Sequence, residues 1–89
     1  MRMKRDLVEP SIGKQMQRFY FDVQNDEAET DHVGVLCRDL DGVRACAVRT
    51  AACIAAEEAA LRSHYHIIII VRNEDGQTVF KTSLHIASV

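Results

Sequence analysis

Leu40 to Ser63, LDGVRACAVRTAACIAAEEAALRS, is the stretch whose reading decides the fold. It is rich in alanine, the strongest helix former, and has no proline, so it reads as one long helix. Leu40, Val43, Ala47, Ala51, Ile54 and Leu61 recur at helical spacing and form one stripe. Most of that stripe is small, which lets a sheet or a second helix approach the backbone closely. Arg44, Arg49, Ala52, Ala56, Ala59 and Arg62 fall on other sides. Glu58 interrupts the stripe, so either the helix rolls away from it or Glu58 marks the rim of the contact. Asp39 or Asp41 is placed to accept the first free backbone N–H groups, with Gly42 in the first turn. Arg62 and His64 suit the negative end of the helix dipole.

Outward from the helix, the C-terminal side reads as a β-hairpin. His66–Arg72 is HIIIIVR, Asn73–Gly76 is NEDG and Gln77–Ile86 is QTVFKTSLHI. β-Branched residues favour the strands, and Asp75–Gly76 favours the turn. Whether the loop holds two or four residues, Tyr65, Ile67, Ile69 and Val71 share a face with Phe80, Thr82, Leu84 and Ile86. The opposite face carries His64, His66, Ile68 and Ile70 beside Val79, Lys81, Ser83 and His85.

On the N-terminal side, Arg18–Gln24 (RFYFDVQ) alternates, with Phe19, Phe21 and Val23 on one face and Tyr20 and Asp22 on the other. That is a half-buried strand. Asn25–Asp31 (NDEAETD) is an acidic connection without the residue order of a calcium loop. His32–Arg38 suits a short edge strand in which Gly34 marks a bulge. Met1–Gln17, broken by Pro10, Ser11 and Gly13, reads as a flexible or loosely packed lead-in. The expectation is therefore an α+β domain over residues 18–89, with a three- or four-stranded, mainly antiparallel sheet and one long helix packed on one face.

Composition narrows the function classes. The 89 residues make a single domain with a thin core, for which self-association is a natural source of added stability. Eleven basic and thirteen acidic residues give a formal charge of −2, which does not favour nucleic acid as a partner. No apolar run is long enough to span a bilayer, and the N-terminus lacks the apolar core of a secretory signal. Three cysteines, an odd number, argue against a disulfide framework and for a reducing cytoplasm. Cys46 and Cys53 lie two helical turns apart and read as small buried hydrophobes.

The order of features resembles a family of short uncharacterised bacterial proteins, common in rhizobia and related alphaproteobacteria and grouped as a domain of unknown function. The matching stretches are Phe19–Val23, Asp39 with the helix through Ala60, and Val71–Gly76 with the strand after it. The likeness spans roughly Gln17–Ile86. Members of that family start a residue or two before the first strand, which would make Met16 the biological start. The opening of the helix here, LDGVRACA, is poorer in the family's glutamates. The resemblance implies the fold and brings no catalytic residue, cofactor or partner.

Three functional readings follow. One helix covers only one face of a sheet. The first reading is therefore a small structural or interaction protein, forming a homo-oligomer through Tyr20, Ile68, Ile70 and Val79, since an uncovered apolar patch marks an interface. Its rival is Met1–Gln17 folding back with Leu7, Val8 and Ile12. The second is a transition-metal module. A four-residue loop sets His64 opposite His85 and a two-residue loop sets His66 there, so two or three of these imidazoles converge as ligands for zinc, copper or nickel. Histidine also titrates near neutrality, so a pH-sensitive interface is an alternative. The third is an enzyme with an inter-subunit pocket. No nucleophile triad, phosphate-binding glycine loop or HExxH motif supports it, and Glu57 and Glu58 point about 100° apart around the helix.

Overall fold

The computed structural model describes residues 15–88. Its elements are β1 (Gln17–Gln24), β2 (Ala28–Glu29), β3 (Val35–Cys37), α1 (Leu40–Ala59), β4 (His64–Arg72) and β5 (Thr78–Ala87). The expected α+β arrangement is observed: an antiparallel sheet in the order β2-β1-β4-β5, with β3 also paired to β1 and the single long helix packed on one face. Of the lead-in expected over residues 1–17, the part up to Lys14 lies outside the described residues, and Gln17 already belongs to β1.

Asp39 caps the helix: its Oδ1 accepts from Gly42 N at 2.9 Å. The buried face is Val43, Ala47, Ala51 and Ala55, a run of four-residue steps, with Cys46 and Ile54 packed beside it. This differs from the expected stripe at both ends. Leu40 is 59% exposed, and Leu61 is 80% exposed because the helix ends at Ala59. The helix rolls onto its alanine row because methyl side chains let the backbone sit close to the sheet, whereas leucines would hold it away. Glu58 ends half-buried at the rim, where Arg62 Nε donates to its Oε1 at 2.9 Å.

The inner sheet face supplies Phe19, Phe21, Tyr65, Ile67, Ile69 and Val71 to the core, with Phe80 and Ile86 packed against it. The expected set on β4 and β5 does share this face, but Leu84, near the sheet edge, stays exposed rather than joining the core. Between the strands, Asn73–Gln77 closes with Asn73 N donating to Gln77 O at 2.9 Å and Gly76 N to Asn73 O at 3.0 Å. Gly76 has φ +84°, the left-handed conformation that suits glycine in a three-residue hairpin loop. Pairing then shifts between Arg72↔Thr78 and Val71↔Phe80, a bulge at Val79. The bulge offsets the extra loop residue, so the longer loop ends in the register of a two-residue one, with His66 opposite His85.

Val35–Cys37 is the strand expected within His32–Arg38, reduced to three residues, and Ala28–Glu29 is an additional short strand inside the acidic connection. Both run antiparallel to β1, one at its end and the other at its start. Thr30–Gly34 bulges out between them. Across that gap the Asp31 carboxylate accepts Phe21 N at 3.0 Å, taking the place of a ladder carbonyl. Cys37 is buried, Cys46 half-buried and Cys53 exposed, so the inward packing expected of the helix thiols does not extend to Cys53, which lies off the alanine row.

Candidate functional site

Alternation along β1, β4 and β5 builds an outer sheet face that no described element covers. Ile68 and Ile70 of β4 stand at its centre, each partly exposed. Their cross-strand partners are polar: Gln24 and Asp22 on β1, Ser83 and Lys81 on β5. An apolar centre inside a polar rim is therefore the basic composition of this face.

One end is held by a compact ion-pair knot. Arg72 Nε and Nη2 donate to the two oxygens of Asp22 at 2.7 and 3.1 Å, and Nη2 also donates to Asp31 O at 2.9 Å. The guanidinium lies 5.0 Å from the Tyr20 ring centre, so Tyr20 is clamped in a cation–π contact. Asp31 N donates to Asp22 Oδ1 at 2.9 Å, and the Asp31 carboxylate accepts from Val33 N and Gly34 N as well as Phe21 N. Arg72 hydrogen bonding holds the Asp22 carboxyl below the usual carboxylate range, against partial burial. For Asp31, burial pushes the carboxyl up, but its three backbone N–H donors and Arg72 outweigh it and the net direction is down. Gly34 is required here. Its φ is +78°, and a Cβ would lie 2.7 Å from Arg18 Cγ and 3.0 Å from Phe19 O.

The other end carries the histidines. His66 and His85 are direct cross-strand partners, with ring centres 5.8 Å apart and planes at 64°. His64 stands across from Ala87, its Nδ1 3.2 Å from Ser63 Oγ. Among the described residues, no group of three His, Cys, Asp or Glu side chains is placed to hold a metal ion. Val79 sits in the bulge and packs against the core cluster, unlike Tyr20, Ile68 and Ile70, which share the outer face.

The acidic connection forms an open cleft of about 230 Å³ on the other side of the strands, beside the end of α1. Four carboxylates, of Asp26, Glu27, Glu29 and Glu58, line it with one guanidinium, that of Arg62. Arg62 pairs with Asp26 at 2.6 Å and Glu58 at 2.9 Å, both of which raise its pKa, and lies 5.0 Å from the Tyr65 ring centre. The Tyr65 hydroxyl accepts from Asn25 Nδ2 at 2.8 Å. Among the described residues this cleft holds no nucleophile beside a base.

Sequence reading missed the Asp22–Asp31–Arg72 knot. Its one local signal is Asp31 three residues before Gly34, a spacing that suits a carboxylate closing a loop onto its own backbone N–H groups.

Taken together, these features define a single-helix antiparallel α+β module with an uncovered, polar-rimmed sheet face. The chain belongs to the domain-of-unknown-function family DUF6894, whose model matches residues 18–85. No curated protein and no solved structure matches it. No helix among the described residues is long and apolar enough to cross a membrane.

Proposed function

We propose that this domain is a cytoplasmic protein-interaction module that assembles with a second copy of itself through the outer sheet face. The observation that carries the reading is the position of Ile68 and Ile70, half-exposed at the centre of that face with no described element over them. Tyr20, with the Arg72 guanidinium over its ring, adds an aromatic side chain at one end of the face. A second copy suits the face because a thin single-layer core gains stability when its uncovered side is buried. The polar surroundings of Ile68 and Ile70 resemble the wet rim around the anchor residues of an interface. Three free cysteines fit a reducing compartment.

The test is native mass by light scattering on the full chain, on a chain beginning at Met16, and on Ile68→Asp. A mass at least twice that of one chain, halved in the folded aspartate variant, supports the reading. A variant of unchanged mass refutes it. A monomeric full chain with an aggregating short chain gives the face to Met1–Gln15 instead.

A second reading is favoured by the His66–His85 pairing. Two imidazoles directly opposed on an antiparallel pair can chelate one divalent transition metal, with His64 two residues away on the same strand. Calorimetric titration with zinc should give stoichiometric heat that disappears in His85→Ala. No heat in the native chain removes this reading.

A further inference from the structure

β5 is the last strand of the described sheet, and at ten residues it is also the longest. Ser88 N donates to Ser63 O at 2.7 Å, which fixes the alternation of the β4–β5 ladder. From Phe80 onward, past the bulge, even-numbered residues of β5 turn their backbone groups toward β4. Lys81, Ser83, His85 and Ala87 therefore turn their N–H and C=O groups to the open edge. Among the described residues nothing accepts or donates to them there.

The core is open on the same side. Arg44 lies 5.6 Å from the Phe80 ring centre, so the Arg44–Val48 side of α1 stands above β5. Val48 is 49% exposed and Leu84, on the inner face of β5, is 36% exposed. An added strand would pair the edge and cover part of this apolar rim together. Native proteins blunt such an edge with charge, proline or a bulge. Here the strand has one charged residue, Lys81, no proline, and a bulge only at Val79.

We infer that the β5 edge pairs antiparallel with β5 of a second copy, about a two-fold axis normal to the sheet, and joins two sheets into one. The strand is suited to pair with itself. Under such an axis a residue faces its own symmetry mate or one of equal parity, so inner faces meet inner faces and both helices lie on the same side. With the axis at Ser83, Lys81 stands opposite the partner's His85 and Thr82 opposite the partner's Leu84. Lys81 does not meet its own copy in that register. This surface differs from the outer face, and the inference stands whether or not that face is an interface.

The decisive variant is Ser83→Pro. The proline removes an outward N–H and no β4 ladder bond, a position where an edge strand tolerates proline. The expected result is a native mass at least twice one chain for the wild type and half the wild-type value for the variant, with unchanged far-UV circular dichroism. Hydrogen exchange on the wild type is the second measurement, and it needs no folded variant. The Lys81, Ser83 and His85 amides should be protected at concentrations where the assembly forms and lose that protection on dilution. A wild type that is one chain in mass with fast exchange at these amides overturns the inference. So does a Ser83→Pro protein of unchanged mass. Protection of these amides in a monomer, lost on deletion to Met16, also overturns it and places Met1–Gln15 on the edge. The outer-face reading is separable, because Ile68→Asp leaves the edge protection in place.

Discussion

Asp31→Ala is the perturbation that most directly tests how the broken return strand is held. Three backbone N–H groups converge on the Asp31 carboxylate, from Phe21 at 3.0 Å, Val33 at 2.9 Å and Gly34 at 3.1 Å. A hydrogen bond to a charged acceptor contributes about 1.5–3 kcal/mol. Water can replace the carboxylate at Val33, which is exposed, so Phe21 and Gly34 dominate. Their loss amounts to about 3–4 kcal/mol once partial access of water to Gly34 is allowed for. In a domain of this size that lowers Tm by on the order of 15 °C. Asp31→Asn retains one acceptor oxygen and should lose about half as much. Urea unfolding followed by circular dichroism measures both. A change below about 0.5 kcal/mol for the alanine variant, the range of neutral surface substitutions, would refute the account. The same carboxylates set the acid limb. Asp22 and Asp31 titrate lower in the folded chain than in the unfolded one, so the unfolded chain binds more protons. Their stabilisation is complete above about pH 4, the unfolded carboxyl range, and is lost as pH falls through the folded values. The acid limb of Asp31→Asn should therefore be shallower than that of the wild type. An identical limb would show that Asp31 is not a stabilising carboxylate.

Other perturbations address separate parts of the structure. Gly34→Ala forces a β-carbon into the left-handed region and against Arg18 and Phe19 O, and should lower stability by at least about 1–2 kcal/mol in urea unfolding, whereas Gly76→Ala meets only the backbone term. Ala51→Leu overpacks the close helix–sheet contact and should cost about 1–3 kcal/mol, while Ala52→Leu on the exposed side should be near neutral. Cys53 should react with a thiol reagent in the native state, and Cys37 only on unfolding, because burial, then Cys46 and Asp39, raise the Cys37 pKa. Rapid native labelling of Cys37, read by mass spectrometry of peptides, would contradict its packing.

The helix, the hairpin and the inner face of the sheet were legible in the sequence because their causes are local. Alanine content and Asp39 set α1, and the alternation of Ile67, Ile69 and Val71 needs only a neighbouring strand to give it direction. The outer face could be assembled from the same alternation, which is how Tyr20, Ile68 and Ile70 were placed together. Tertiary structure decided the rest. The roll of α1 followed closeness of approach, so Ala55 went in while Leu40 and Leu61 stayed out. The Val79 bulge, which no residue of β5 announces, offset the loop, set His66 against His85 and turned Val79 to the core. The Asp22–Asp31–Arg72 knot joins residues up to 50 positions apart, and its geometry exists only once β1 and β4 pair. Local propensity can choose the elements of this chain, but ion pairs across strands and the depth of helix packing depend on where those elements meet.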